Sequence, residues 1–265
     1  MKTMGFIGCG NMGGSIIRSV GPTKMWRTLV YDVRQEVAEQ VAQASQSQAC
    51  SFDDLMQSSD IVVLAVKPQI LPSLYASLKG YRGKKWISMA AGVSLDTLAN
   101  ALDSVEVARI MPNLAASVQK AVTAVAVHPK ASADLTDLAM QFASTFGAAH
   151  NLPEQHFAPF IGVSGSGIAS AFAFLHGIAL GGVHEGLPYR SALDLICDTV
   201  ESATALIRAG KMHPEELLTQ VCSPGGTTIE MVQLLHEQGF KGTLMQAVEA
   251  ASQKALLLEE QAKTR

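Results

Sequence analysis

At 265 residues the chain exceeds the roughly 150 residues of one ordinary domain, which predicts two. Apolar residues make up 48% and charged residues 16%, which supplies a sizeable core and excludes disorder of the bulk. Twenty Lys and Arg against 23 Asp and Glu leave a net charge of -3; neither sign runs in long blocks, so the basic footprint of a nucleic-acid binder is missing.

In chain order, β-forming runs at 3–7, 28–31, 61–66, 86–89, 105–110 and 122–127 alternate with helix-like stretches such as 11–19 and 34–44. Such alternation predicts βαβ units and an α/β domain over 1–155 with a doubly wound, mostly parallel sheet. Beyond it the strand pattern fades, and helical segments at 167–185, 189–209, 214–221, 227–237 and 243–262 predict an all-α domain over 156–265. Turn chemistry at 186–188, 210–214, 223–226 and 239–242 separates them.

The longest uncharged apolar tract, 163–175, runs into Gly and His and reads as a buried helix of a soluble, cytoplasmic protein, with no membrane partner. Cys9, Cys50, Cys197 and Cys222 form no CxxC pair, which predicts free thiols and no zinc site. No histidines stand in an HxxxH pair, so no metal is expected. His176 and His184, eight apart on one helical face, read as surface or interface residues. Ser164 and Ser166 lie outside any GxSxG elbow, which disfavours a serine hydrolase.

The most informative stretch is GFIGCGNMGG, in which Gly8, Gly10 and Gly13 form GxGxxG between a strand and a helix start, flanked by Asn11 and Met12. Gly8 permits the tight turn, Gly10 the approach of a pyrophosphate, and Gly13 close helix packing, while the helix N-terminus favours an anion. Asp32 follows at the end of the second strand, where a ribose 2′-hydroxyl is held in NAD sites; as a bland alternative it caps the next helix. Its charge leans the cofactor toward NADH, although Arg34 is placed to pair with a 2′-phosphate. Ala65, Val66, Lys67 and Pro68 close a strand on the ligand-binding edge of such a sheet and border the cofactor; Lys67 equally suits a solvated loop.

A second glycine-rich helix start, SPGGTT at 223–228, offers successive N–H groups and the hydroxyls of Ser223 and Thr228, an arrangement suited to a carboxylate. The plain alternative is a helix capped by Thr227.

In this order GxGxxG, AVKP (65–68), RIMPN (109–113), SGSG (164–167), GLP (186–188) and SPGGTT resemble pyrroline-5-carboxylate reductase over nearly the whole chain. The resemblance implies a Rossmann domain holding NAD(P)H, a helical domain forming a homodimer and, in larger assemblies, a ring of dimers, and reduction of pyrroline-5-carboxylate to proline. By position it implies that Ser223 and the amides of Gly226, Thr227 and Thr228 bind the substrate carboxylate, with Thr228 near the imine nitrogen as the catalytic hydroxyl. Met111 and Asn113 fall near the nicotinamide, and Val163, Ser164 and Gly165 near the substrate. Where that family usually reads MPNTP and GSGPA, this chain has MPNLA (111–115) and GSGIA (165–169), and its following helix carries His176 and Leu180 at commonly acidic places. These departures keep two alternatives in view: a reductase of another cyclic imine or a small keto or hydroxy acid, and a non-catalytic NAD(H) sensor.

Overall fold

A computed structural model describes residues 1–210 and 212–263. The first part runs β1 (Thr3–Ile7), α1 (Asn11–Val20), β2 (Arg27–Tyr31), α2 (Gln35–Ser45), β3 (Gln48–Ala49), α3 (Phe52–Ser58), β4 (Ile61–Leu64), α4 (Leu71–Leu78), β5 (Lys85–Ser88), α5 (Leu95–Leu102), β6 (Val107–Pro112), β7 (Ala121–Val127), α6 (Ala133–Ser144) and β8 (Gly147–Asn151). Short α7 (Phe157–Phe160) and a π-helical turn over Ile161–Gly165 follow. The helical part contains α8 (Gly167–His184), α9 (Tyr189–Ala209), α10 (Pro214–Gln220), α11 (Thr227–Glu237) and α12 (Phe240–Lys263).

The strands form one eight-stranded sheet in the order β3-β2-β1-β4-β5-β6-β7-β8. Every neighbouring pair is parallel except β6 with β7. The chain builds outward from β1 through β2 and β3, then returns to β1's other side with β4, and this reversal opens the crevice in which doubly wound folds bind ligands. Apolar residues alternate between the two faces: Met4, Phe6, Ile61 and Val63 enter one core, Ile7, Val62 and Leu64 the other. Helices cover both faces, which is why β4 is buried throughout and reads as a continuous apolar run.

Several boundaries depart from the sequence reading. Strands β3 and β8 were not expected: β3 is two residues long, and the exposed edge strand β8 carries no apolar alternation. Strand β6 begins later than 105 because Val105 already faces solvent, and the run expected to 66 stops at Leu64, where the chain leaves the sheet. Gly239 makes the turn before α12 in a left-handed conformation, φ +65°, and Gly242 is absorbed into that helix.

Two compact units emerge: Met1–Ser166 together with the chain from Ala250 onward, and Gly167–Glu249. Where the sequence divides the chain at 155, the structure keeps residues 157–166 with the first unit, because Phe157 lies in the core of the sheet and Phe160 and Ile161 pack against it.

In the second unit α8 and α9 form a tight antiparallel pair, and a Cβ at Gly182 would sit 2.9 Å from that of Ala192. Phe174 meets Phe240 at 6.3 Å, and Lys241 pairs with Glu215. Among its described residues only Ala179, Ala192 and Ile196 are buried. The expectation of a buried helix over 163–175 is therefore corrected: among the described residues one continuous helical run, Glu154–His184, which ends in α8, is long and apolar enough to cross a membrane by length and composition, yet Phe172, Ile178, Leu180 and Val183 are exposed in the single chain. A patch of this extent needs a covering surface.

On one face of the sheet Phe142 is ringed by Phe6 at 5.9 Å, Trp26 at 6.3 Å and Phe146 at 5.3 Å. Replacing it with Ala is expected to cost about 3–5 kcal/mol of unfolding free energy, measured by urea titration. A loss below about 1 kcal/mol would mean the cluster does not anchor α6.

Candidate functional site

Tyr31, Ile7, Leu64, Ser88 and Arg109 lie in one row across β2, β1, β4, β5 and β6. The loops leaving this row share one sheet edge, so Asp32, Gly8, Ala65 and Met89 arrive there side by side. The first three stand in motifs legible in the sequence; the fourth loop, Ala90, Ala91 and Gly92, does not. Small residues after a buried strand were the available signal.

Gly8 has φ +104°, and a Cβ there would lie 2.7 Å from the Ala65 carbonyl oxygen. Glycine is demanded twice, by backbone conformation and by space. The Gly8 amide donates to the Tyr31 carbonyl at 2.8 Å. A Cβ on Gly13 would strike the Gly8 carbonyl, so α1 rests directly on the turn. Gly10 differs: its φ is -65°, and a side chain there would meet nothing within 4 Å. Nothing among the described residues requires glycine at this position, whereas a pyrophosphate lying on the loop does. Gly10 caps α1, no side chain caps that helix and no acid stands in its first turn, leaving the amides and the positive dipole end for an anion. Asn11 is exposed and Met12 half-buried beside them.

Asp32 is held by both oxygens. Oδ2 accepts the Cys9 N–H at 2.8 Å and Oδ1 the Arg34 N–H at 3.0 Å, so it both orders the start of α2 and presents a fixed carboxylate beside the glycine loop. The Arg34 Nε stands 3.8 Å from Asp32 Oδ1. Burial first, and the Asp32 charge second, push the Cys9 thiol up to about 12, so it stays protonated at neutral pH and is no nucleophile.

Ala65 donates its N–H to Ile7 at 2.8 Å; Val66 and Pro68 are half-buried, and Lys67 is exposed. Farther along, Met111 in β6 and Asn113 just beyond its end are buried. Asn113 Oδ1 accepts the N–H groups of Ala115 at 3.3 Å and Val122 at 3.2 Å, and its Nδ2 donates to Ser164 Oγ at 3.4 Å. Two residues predicted from separate motifs thus meet. Ser164 sits in the π-helical turn closed by the Ser166 N–H on Ile161 at 2.7 Å, with Val163 exposed and Gly165 half-buried around it; π turns often occur at functional sites. Arg109, which the sequence shows only as the first residue of RIMPN, is a charge inside the apolar run VARIMP and pairs with Glu154 and Glu259, neither of which stands in a motif.

In the second unit, Gly225 turns the SPGGTT segment at φ +67°, and the Gly226 N–H donates to the Ser223 carbonyl at 3.1 Å. A Cβ at Gly226 would run into the Ser223 hydroxyl. Helix α11 is capped by Gly226 rather than by Thr227, and no side chain bonds its first amides. The plain capping role for Thr227 is therefore not what the structure builds. Ser223 and Thr227 are exposed and Thr228 half-buried. On α8, His176 Nδ1 lies 2.9 Å from the Tyr189 hydroxyl, whereas His184 pairs with Glu185 at 2.9 Å.

Residues 154–258 match the family model described as pyrroline-5-carboxylate reductase dimerisation, and residues 3–92 that described as NADP oxidoreductase, coenzyme F420-dependent. A pyrroline-5-carboxylate reductase of Aquifex aeolicus is 33% identical over 257 residues, covering 95% of this chain and 96% of its own. One of Escherichia coli is 34% identical over 264 residues, covering 96% and 97%. The crystal structure of 1-pyrroline-5-carboxylate reductase from Streptococcus pyogenes is similar with a TM-score of 0.87 at 28% identity, covering 96% of this chain and 98% of that one. A Plasmodium falciparum pyrroline carboxylate reductase with NADP bound shares the fold, with a TM-score of 0.87 at 23% identity.

The contrast between the two glycines is testable. Gly10→Ala is expected to keep the wild-type melting temperature while weakening dinucleotide binding about tenfold or more, by fluorescence titration. Gly8→Ala is expected to lower the melting temperature itself, because its φ and the Ala65 carbonyl both oppose a Cβ. Undiminished binding in the Gly10 variant would remove the loop from the ligand site.

Proposed function

This chain belongs to the pyrroline-5-carboxylate reductase family, and from that premise we propose that it reduces 1-pyrroline-5-carboxylate to L-proline as an NAD(P)H-dependent oxidoreductase. The observation that carries the reading is Gly10, a glycine required by no protein contact, in a chain that also holds the uncapped SPGGTT helix start. A reduced nicotinamide dinucleotide supplies the hydride. The amides of Gly10 to Gly13 at the uncapped start of α1 hold the pyrophosphate, with Ala65, Val66, Lys67 and Pro68 along one border and Met111 and Asn113 on the nicotinamide side. Val163, Ser164 and Gly165 line the substrate.

Ser223 and the amides of Gly226, Thr227 and Thr228 receive the substrate carboxylate, and the Thr228 hydroxyl orients the imine nitrogen. Reduction of a protonated imine depends on placement more than on acid–base power, which suits two glycine-rich cradles. Asp32 favours NADH: pinned by two amides, it accepts a ribose hydroxyl and has little freedom to retreat from a 2′-phosphate. Arg34 already lies beside it. The match of 154–258 to a dimerisation model and the bare apolar face of α8 support a homodimer as the working form. We place it in the cytoplasm, with rings of dimers as its higher assembly.

A second reading rests on Leu114 and Ile168, which occupy the two altered loops, and on the His176–Tyr189 pair in α8 and α9. These favour a related cyclic imine, such as a six-membered imino acid. Turnover is expected to be fastest with the five-membered imine, followed by loss of nicotinamide absorbance with NADH and NADPH in parallel. Faster turnover of the six-membered ring would install the second reading.

Thr228→Val is expected to leave dinucleotide affinity unchanged and to slow turnover by the worth of one aligned hydrogen bond, about 1–3 kcal/mol. Wild-type turnover in that variant would displace the hydroxyl from the nitrogen. Asp32→Ala is expected to raise the KM for NADH more than that for NADPH. An equal rise for both would show that Asp32 does not select the cofactor.

A further inference from the structure

Arg109 is 1% exposed in the middle of a strand. Its Nη1 lies 2.7 Å from Glu154 Oε1 and 3.7 Å from Glu259 Oε2, and its guanidinium carbon stands 4.8 Å from the centre of the Phe157 ring. Glu154 Oε1 also accepts the Leu95 N–H at 2.8 Å. One cation therefore gathers β6, the segment leading into α7, and the last turns of α12. A buried guanidinium in such a place costs desolvation that only well-placed partners offset, so its surroundings are held to one arrangement.

The arrangement reaches the reacting groups along the strand. Arg109 and Met111 alternate to the same face of β6, and Asn113 follows immediately beyond its end as the cap of the next turn. The segment that Arg109 grips through Glu154 and Phe157 continues into the π-helical turn, where Ser164 takes the hydrogen bond from Asn113. The strand and the segment are thus joined at two points, with Met111 between them on one side and Val163 on the other. The C-terminal helix adds a third attachment: Glu259 faces Arg109, and the Leu258 backbone lies 3.3 Å from where a Cβ on Gly92 would stand, in the loop after β5. A cavity of about 180 Å³ lined by Arg109, Ser166, Lys254 and Glu259 leaves the guanidinium room to shift when a carboxylate is lost.

We propose that Arg109 is a positioning residue for hydride transfer: with Glu154 and Glu259 it clamps the 154–165 segment and the C-terminal helix to β6. The clamp sets the spacing between the nicotinamide side at Met111 and Asn113 and the substrate side at Val163 and Ser164. This rests on the reading of those residues given above.

The test uses the full chain with Glu259→Gln, Arg109→Lys and Arg109→Met. Each is assayed with NADH and pyrroline-5-carboxylate well below its melting temperature, and amide hydrogen exchange is followed in parallel. A clamp that positions is expected to lower kcat by about ten- to a hundredfold in Arg109→Met, with the KM for NADH within about twofold of wild type. Glu259→Gln and Arg109→Lys are expected to fall between. In all three, peptides covering 157–166 are expected to exchange faster, with those of β1 and β4 unchanged.

Wild-type kcat in a variant whose 157–166 amides are loosened would overturn the positioning role, as would equal losses in kcat and NADH affinity together with general deprotection. Unchanged exchange would overturn the clamp. Exchange needs no substrate, so it still decides the clamp if the wild-type enzyme fails to turn over the imine, an outcome that counts against the proposed reaction instead. Should Arg109→Met fail to fold, Glu259→Gln, which removes only an outer carboxylate charge, carries both readouts.

Discussion

The nucleotide half of the molecule depends on a missing methyl group. At Gly8 the backbone turns through a conformation closed to other residues and passes the Ala65 carbonyl at a distance that leaves no place for a Cβ. Because β1 and β4 lie in contact there, the turn aims α1 at the crevice made by the reversal of strand order, and it points the Cys9 amide at Asp32. Pyrophosphate cradle, ribose carboxylate and the 65–68 border are then three consequences of one close approach. Gly13 repeats the device one turn later, where α1 comes down on the Gly8 carbonyl.

How much of this was legible in the sequence follows from the range over which each feature is determined. The glycine loop, Asp32 and the SPGGTT turn were readable because each is specified by a few adjacent residues whose backbone needs are peculiar to them. Buried parallel strands such as β4 announced themselves as short apolar runs. Strand β8 did not: GAAHN lies half in solvent and owes its conformation to β7, with which it pairs in parallel. Gly242 reads as a turn residue, but it lies exposed in the first turn of α12, where glycine's local preference does not stop the helix. Arg109 was quoted as part of a motif, but its partners are 45 residues away at Glu154 and nearly at the C-terminus at Glu259. No local pattern could join them, and only the register of β6 with its neighbours places the arginine in the row that feeds the site.

The two glycine-rich helix starts use the same physics with different emphasis. At α1 the carboxylate of Asp32 is already bound by two amides before a ligand arrives, so the ribose end of the site is organised in advance and little ordering remains for binding to supply. At α11 the Gly226 cap leaves the first amides without a side-chain partner, and the Ser223 hydroxyl is held close by the absence of a Cβ.

The second unit keeps only Ala179, Ala192 and Ile196 from solvent among its described residues, fewer than any self-sufficient domain needs. Its helices are therefore half of a core, and the other half must come from another molecule. Folding of this region is then a second-order event, and its stability belongs to the solution as much as to the chain: dilution acts on it as denaturant acts on an ordinary domain, and a melting temperature has meaning only beside a protein concentration.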